Sequence, residues 1–176
     1  RTVISTIEIL EWMRNKAPQA SLLLSSSAAV YGAGHTLPIS ETSAVNPYSP
    51  YGYHKYMAEQ LLKSHSTSFG LRTAVIRLFS VYGTQLRKQL LWDLCQRFSE
   101  QPTEIILGGF GTELRDWLNI NDAINHMTFL GQAANEQCLV VNAGTGHGTT
   151  VKETATIVRD CWGLDTEIKF SGQSRP

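Results

Sequence analysis

Apolar residues at Ile4, Ile7, Leu10 and Trp12–Met13 recur at the spacing of one helix face, which predicts a helix over residues 2–16. The run "SLLLSS", residues 21–26, is short and apolar, as a buried strand is. A stretch rich in Gly, Pro and Ser follows, residues 27–49; a loop this long is more than a connector and points to function. Ser49 is a favoured N-cap, Pro50 suits the first helical position, and Gly70 suits a C-terminal stop, so they bracket a helix of residues 50–69. "RTAVIRLF", residues 72–79, reads as the next strand. Helix, strand, helix, strand in succession implies parallel pairing with helices on both faces of a sheet.

After Gly83 the pattern changes. A helix fits residues 88–99, "TEIIL" at 103–107 is a strand, "GGFG" at 108–111 is a turn, and "TELRDWLNI" reads as extended. A helix over 121–134, which Asp122 helps to start, precedes the strand "QCLVVNA"; a helix over 151–162 and a last strand "TEIKF" complete the chain. A boundary near residues 82–87 separates two portions. Residues 1–83 form part of a doubly wound parallel sheet, and residues 84–176 a smaller mixed α/β portion with segments that return to the first.

The bulk numbers narrow the function classes. Fifteen basic and 15 acidic residues give a formal net charge of zero, which argues against a nucleic-acid stripe or a polybasic membrane surface. No apolar run approaches the roughly 20 residues that span a bilayer, and the opening "RTVISTIEILEWMRNK" is amphipathic, unlike a signal peptide. Cys95, Cys138 and Cys161 are odd in number and far apart, so they are expected to be buried thiols in a reducing, cytoplasmic setting. His35, His54, His65, His126 and His147 show no metal-ligand spacing, and no metal is expected.

Two features carry candidate chemistry. Tyr51 and Lys55 lie four apart at the start of a helix, hence on one face. An ammonium beside a phenol favours the phenolate, so the pair suits a general base; the other reading is a surface tyrosine packed on a lysine stem. The glycines Gly144, Gly146 and Gly148 resemble a phosphate loop locally, but Thr149 stands where the dinucleotide fingerprint has Gly or Ala, and no acid follows at ribose-binding distance. Gly32 and Gly34 fail as well, because Pro38 breaks the required helix. Both read as tight turns, and no pyrophosphate loop is expected in the 176 residues.

Five segments in order, "LLLSSSAAVYG", "NPYSPYGYHKYMAEQ", "VIRLFSVYG", "LRDWLNINDA" and "VVNAGTG", resemble the extended short-chain dehydrogenase/reductases, within them the NAD-dependent nucleotide-sugar epimerase/dehydratase branch. The similarity spans nearly the whole chain. It implies a Rossmann-type fold, NAD or NADP as cofactor, a nucleoside-diphosphate sugar as partner, and no nucleic-acid or membrane partner. It implies catalytic roles for Ser27, Tyr51 and Lys55, with Lys55 also holding the nicotinamide ribose. Phe79 matches a position beside the nicotinamide, and Arg115 and Arg175 match arginines on the sugar-nucleotide diphosphate. Ser80 stands where the family has an asparagine on the substrate phosphate, and Thr2 where it has an asparagine in the first helix. The 2–16 and 50–69 helices form the dimer face in many relatives, which implies a homodimer.

The family's N-terminal strands and glycine-rich loop have no counterpart here, so the chain resembles a fragment that is expected not to turn over alone. Ala28 and Ala29 stand where the 4,6-dehydratases of the family carry acids. The resemblance therefore implies a 4-epimerase or 4-ketoreductase; the competing class is a non-catalytic relative acting as a binding module or subunit.

Overall fold

The structure is a computed structural model and describes residues 2–173. By its internal contacts the chain divides into two compact units. The first unit comprises residues 1–81 and 118–144, the second residues 82–117 and 145–176, so the stretch 118–144 returns to the first unit.

In the first unit, α1 (Thr2–Lys16) leads into β1 (Ser21–Ser27), and a single 3-10 turn at Ala28–Val30 opens the long loop. α2 (Pro50–Phe69) is bounded as its sequence dictates. The Ser49 hydroxyl accepts from the Gly52 amide, Pro50 begins the helix, and Gly70 ends it at φ 67° with its amide on the Ser66 carbonyl. β2 (Arg72–Leu78) follows. β3 (Ser80–Tyr82), whose last residue already belongs to the second unit, is a three-residue strand that the expectation above lacked; it is too short to carry an alternation.

α3 (Gln89–Ser99), β4 (Glu104–Leu107) and β5 (Leu114–Asn119) come next. α4 (Ile120–Ala133) is capped by the Asn119 side chain, which accepts from the Asn121 amide, with Asp122 in its first turn. β6 (Leu139–Ala143), a short β7 (Gly148–Thr150), α5 (Val151–Cys161) and β8 (Glu167–Phe170) complete the order.

β1, β2 and β6 form a parallel sheet with β2 central. Alternation along its strands sends neighbouring residues to opposite faces. Leu22, Leu24, Val75 and Val140 pack with Leu10, Met13 and Leu62 of α1 and α2. Leu23, Ala74, Ile76 and Val141 pack instead with Ala123 and Leu130 of α4. The sheet is thus covered on both faces, the doubly wound arrangement that the element order implied.

The second unit has its own core, in which Leu94 and Phe98 of α3 meet Val151 and Ala155 of α5 over the parallel β4–β8 pair. β5 and β7 pair antiparallel there. α5 starts with a capping box, Thr150 and Glu153 each bonding the other's backbone amide.

The cysteines need a correction. Cys138 alone is buried, and burial pushes its thiol pKa up; Cys95 is half-buried and Cys161 exposed. Cys161 is the last residue of the amphipathic α5, on its solvent side, a position that dispersed cysteines in a sequence do not reveal. Among the described residues no helix is long and apolar enough to cross a membrane.

Candidate active site

The first turn of α2 sits against the turn that follows β1. A methyl group added at Gly52 would lie 2.6 Å from the Ala29 carbonyl oxygen and 2.9 Å from Pro47 Cβ. Glycine inside a helix is disfavoured by about 0.5–1 kcal/mol against alanine. Close approach of two backbones is what the residue permits here. Gly52→Ala is therefore expected to destabilise by about 1–3 kcal/mol, the range for overpacking, although alanine is the better helix former. Thermal denaturation of the chain checks this, and an unchanged or higher Tm would refute the close-approach reading.

That approach sets the start of α2, with Tyr51 and Lys55, beside the end of β1, with Ser27. Tyr51, in the first turn of α2, is exposed. Lys55, one turn on, donates from Nζ to the Ser25 carbonyl of β1 at 2.7 Å, and Nζ lies 5.7 Å from the centroid of the Tyr51 ring. Desolvation by partial burial holds the Lys55 pKa below the ordinary lysine value. Ser27 ends β1 two residues past Ser25, and its Oγ accepts from the Ala29 amide at 3.2 Å, capping the 3-10 turn. A hydroxyl oxygen used once as acceptor keeps its O–H and a second lone pair.

Phe79 and Ser80 lie where β2 passes into β3, both half-buried, with the Phe79 amide donating to the Ala143 carbonyl at the end of β6. Ser27, Phe79 and Ser80 thus stand at the carboxyl ends of the parallel strands, where ligands of open α/β sheets bind.

Sequence reasoning did not single out the polar groups beneath these residues. Glu59, one turn beyond Lys55, takes a two-pronged contact from Arg77 of β2, Nε to Oε1 at 3.1 Å and Nη2 to Oε2 at 2.7 Å. Ser26 also donates to Glu59. Burial disfavours the Arg77 charge, but its hydrogen bonds to Glu59 and Tyr31 prevail and raise its pKa. The signal in the sequence was an arginine at an interior position of an apolar strand.

In the second unit, Arg115 lies on β5, exposed, and gives Nη1 to the Leu114 carbonyl at 2.8 Å. It makes no ion pair among the described residues. The neighbouring Asp116 is engaged elsewhere: its carboxylate accepts from the Thr145 amide and hydroxyl and from the Gly146 amide. A carboxylate of the chain itself therefore fills the glycine turn, and the stretch runs into β7 rather than directly into a helix. These are physical reasons why it is not a phosphate loop. Arg175 lies outside the described residues.

Parallel strands sandwiched by helices, with polar side chains gathered at the strand ends, define the doubly wound α/β class. Within it the NAD dependent epimerase/dehydratase family matches residues 1–144, and the chain belongs to that family. A putative UDP-glucose 4-epimerase of Methanocaldococcus jannaschii is 31% identical over 176 residues, 98% of this chain and 54% of that protein. A UDP-glucose 4-epimerase of Azospirillum brasilense is 28% identical over 198 residues, 95% of this chain and 57% of that protein. The crystal structure of a UDP-glucose 4-epimerase from Thermotoga maritima with UDP-glucose superposes with a TM-score of 0.88 at 26% identity, covering 99% of this chain and 57% of that one. The chain spans about half the length of the curated relatives it matches.

Proposed function

We propose that the whole protein is a nucleotide-sugar 4-epimerase or 4-ketoreductase, with Tyr51 as acid/base. The observation that carries this reading is the Tyr51–Lys55 pair on one helix face, with Lys55 anchored to the β1 end that bears Ser27. Tyr51 takes the proton of the sugar C4 hydroxyl. The Lys55 ammonium stabilises the phenolate that does so, and Ser27 hydrogen-bonds the reacting oxygen.

The residues present fit a nicotinamide cofactor. Lys55 uses one N–H on Ser25 and keeps two donors for ribose hydroxyls, and Phe79 offers an apolar neighbour for the ring. The chemistry that the nicotinamide supplies when bound is reversible uptake of the C4 hydride. The first unit is assigned the cofactor and the acid/base groups, and the second unit much of the nucleotide-sugar contact. Ser80 adds a short hydroxyl for the substrate. A UDP-sugar is the substrate class to try first, since the Azospirillum brasilense relative is a UDP-glucose 4-epimerase.

Arg115 offers a planar fork of donors suited to a diphosphate. Arg115→Ala is expected to raise KM for the nucleotide sugar by roughly 10- to 100-fold, as loss of a hydrogen bond to a charged group does, and to leave cofactor affinity near the parent value. An unchanged KM would return Arg115 to a surface role. Arg175 is assigned the same diphosphate role, and Arg175→Ala is expected to act in the same direction.

The two activities separate in one assay. Interconversion of C4 epimers with NAD and no added reductant selects the epimerase; consumption of NAD(P)H with a 4-ketosugar selects the ketoreductase. The methyl groups of Ala28 and Ala29 cannot move protons, so no dehydration product, a mass loss of water from a nucleoside-diphosphate hexose, is expected. Catalytic dehydration would overturn the assignment, and no turnover of any of these substrates would favour a binding role.

Ile4, Trp12, Met57 and Phe69 are large exposed apolar side chains on α1 and α2. A homodimer through these two helices would cover them, and sedimentation of the whole protein, with Trp12→Glu beside it, tests that contact. A parent protein that stays monomeric would remove it.

A further inference from the structure

The face of the β1–β2–β6 sheet that packs on α1 and α2 is apolar along most of its length, with Leu22, Leu24, Val75 and Val140. Its last row is different. Ser26 of β1 is in register with Arg77 of β2, and Arg77 with Asn142 of β6, so three polar residues cross the sheet side by side on one face. Glu59 of α2 joins the first two. The Tyr31 hydroxyl joins the last two, accepting from Arg77 Nη1 at 2.9 Å and donating to Asn142 Oδ1 at 2.7 Å. Asn142 then holds the long loop, its amide donating to Glu41 Oε1 and its Nδ2 to the Ile39 carbonyl. Glu59 and Arg77 are only 3% and 5% exposed, so the row lies inside the first unit and not in solvent.

Stability alone does not account for such a row. Well-packed apolar side chains in place of a buried ion pair are often as stabilising or more so, because they avoid desolvation of the charges. What the row adds is geometry. Tyr51, Lys55 and Glu59 follow one another at intervals of four down a single stripe of α2, so the carboxylate that is locked at one end fixes how the helix is turned at the other. Lys55 holds the carbonyl of Ser25 and Glu59 the hydroxyl of Ser26; the next residue is Ser27. A helix with its side chains is about 10–12 Å across, so a rotation of about 10° moves a side-chain tip by roughly 1 Å. A misplacement of that size can lower a rate by about 10².

We propose that Glu59 and Arg77, through Ser26, Tyr31 and Asn142, are positioning residues that set the rotation of α2 and the end of β1, and so the mutual placement of Tyr51, Lys55 and Ser27; this rests on the functional reading above. Neither Glu59 nor Arg77 takes part in proton transfer. The row also ties the loop at 39–41 to the same frame.

The test is made on the whole protein. In Glu59→Met/Arg77→Leu the two charges leave together, so the expected result is a Tm near the parent, kcat lower by about 10²-fold, and KM for the nucleotide sugar within about threefold. Tyr31→Phe and Ser26→Ala each remove one link without unpairing the two charges, and are expected to lower kcat by roughly tenfold with KM unchanged. These two decide the matter if the double variant does not fold.

Amide exchange gives a readout that needs no turnover. In the same variants, residues 25–29 and the hydrogen-bonded amides of Gly52 and Tyr53 are expected to exchange roughly tenfold faster or more, while the centre of β2 keeps its protection. Parent-like kcat in Tyr31→Phe, Ser26→Ala and any folded double variant, with unchanged exchange at 25–29, would overturn the proposal. If the parent turns over no nucleotide sugar, the functional reading fails while the exchange pattern still decides whether the row sets this geometry.

Discussion

Tyr51→Phe is expected to lower kcat of the whole protein by roughly 10² to 10⁴, the usual contribution of a positioned acid/base group, with cofactor affinity close to the parent. Phenylalanine keeps the ring in the first turn of α2 and removes only the hydroxyl, so the fold has little reason to change; the side chain is exposed. The Lys55 ammonium both sits near the Tyr51 ring and bonds the Ser25 carbonyl. Lys55→Met is therefore expected to lower turnover and cofactor binding together, and to loosen the end of β1. Steady-state kinetics and cofactor calorimetry on the two variants separate these roles. A Tyr51→Phe enzyme with near-parental kcat would sink the acid/base assignment.

Arg77→Leu alone is expected to destabilise the protein by about 3–5 kcal/mol, because it strands the Glu59 carboxylate without a counter-charge in the interior. For a domain of this size that corresponds to a fall in Tm on the order of 10 °C. The bidentate geometry and the depth of both side chains motivate the size of the effect. Truncating a solvent-exposed pair such as Arg97–Asp93 would change stability by well under about 1 kcal/mol. Glu59→Met/Arg77→Leu recovers most of the loss, since the orphaned charge goes as well. Thermal unfolding of the single and double variants measures the difference directly. A single variant as stable as the parent would mean that the carboxylate finds water or another partner.

The parts of the molecule legible in the sequence are those governed by local chemistry. Ser49, Pro50 and Gly70 define α2 by capping, a fixed φ and a left-handed stop, all of which act within one turn of chain. The spacing of Tyr51 and Lys55 puts them on one face for the same reason. The long loop after β1 could be flagged by its length and composition, and the apolar runs at 21–26 and 72–79 foretold two strands that do pair in parallel. The residues read wrongly or not at all are those whose state depends on distant partners. Cys161 looked like any other dispersed thiol until α5 turned it outward. β3 and β7 are three residues each, and only their partners in the sheet make them strands.

The sequence by itself determined the helices, the principal strands, the doubly wound order of the first unit, and the delivery of a phenol and an ammonium at the mouth of α2. These follow from periodicity and caps, whose range is about one helical turn. Tertiary structure alone decided which residues, 118–144, return to the first unit, that Asp116 fills the glycine turn at 145–146, and that Ser26, Glu59, Arg77, Tyr31 and Asn142 become one buried row. Tyr31 and Asn142 stand 111 residues apart. Pairing of charges and hydroxyls across strands has no period along the chain; it is set by sheet register, and register exists only once the hydrophobic faces of the strands have chosen their helices.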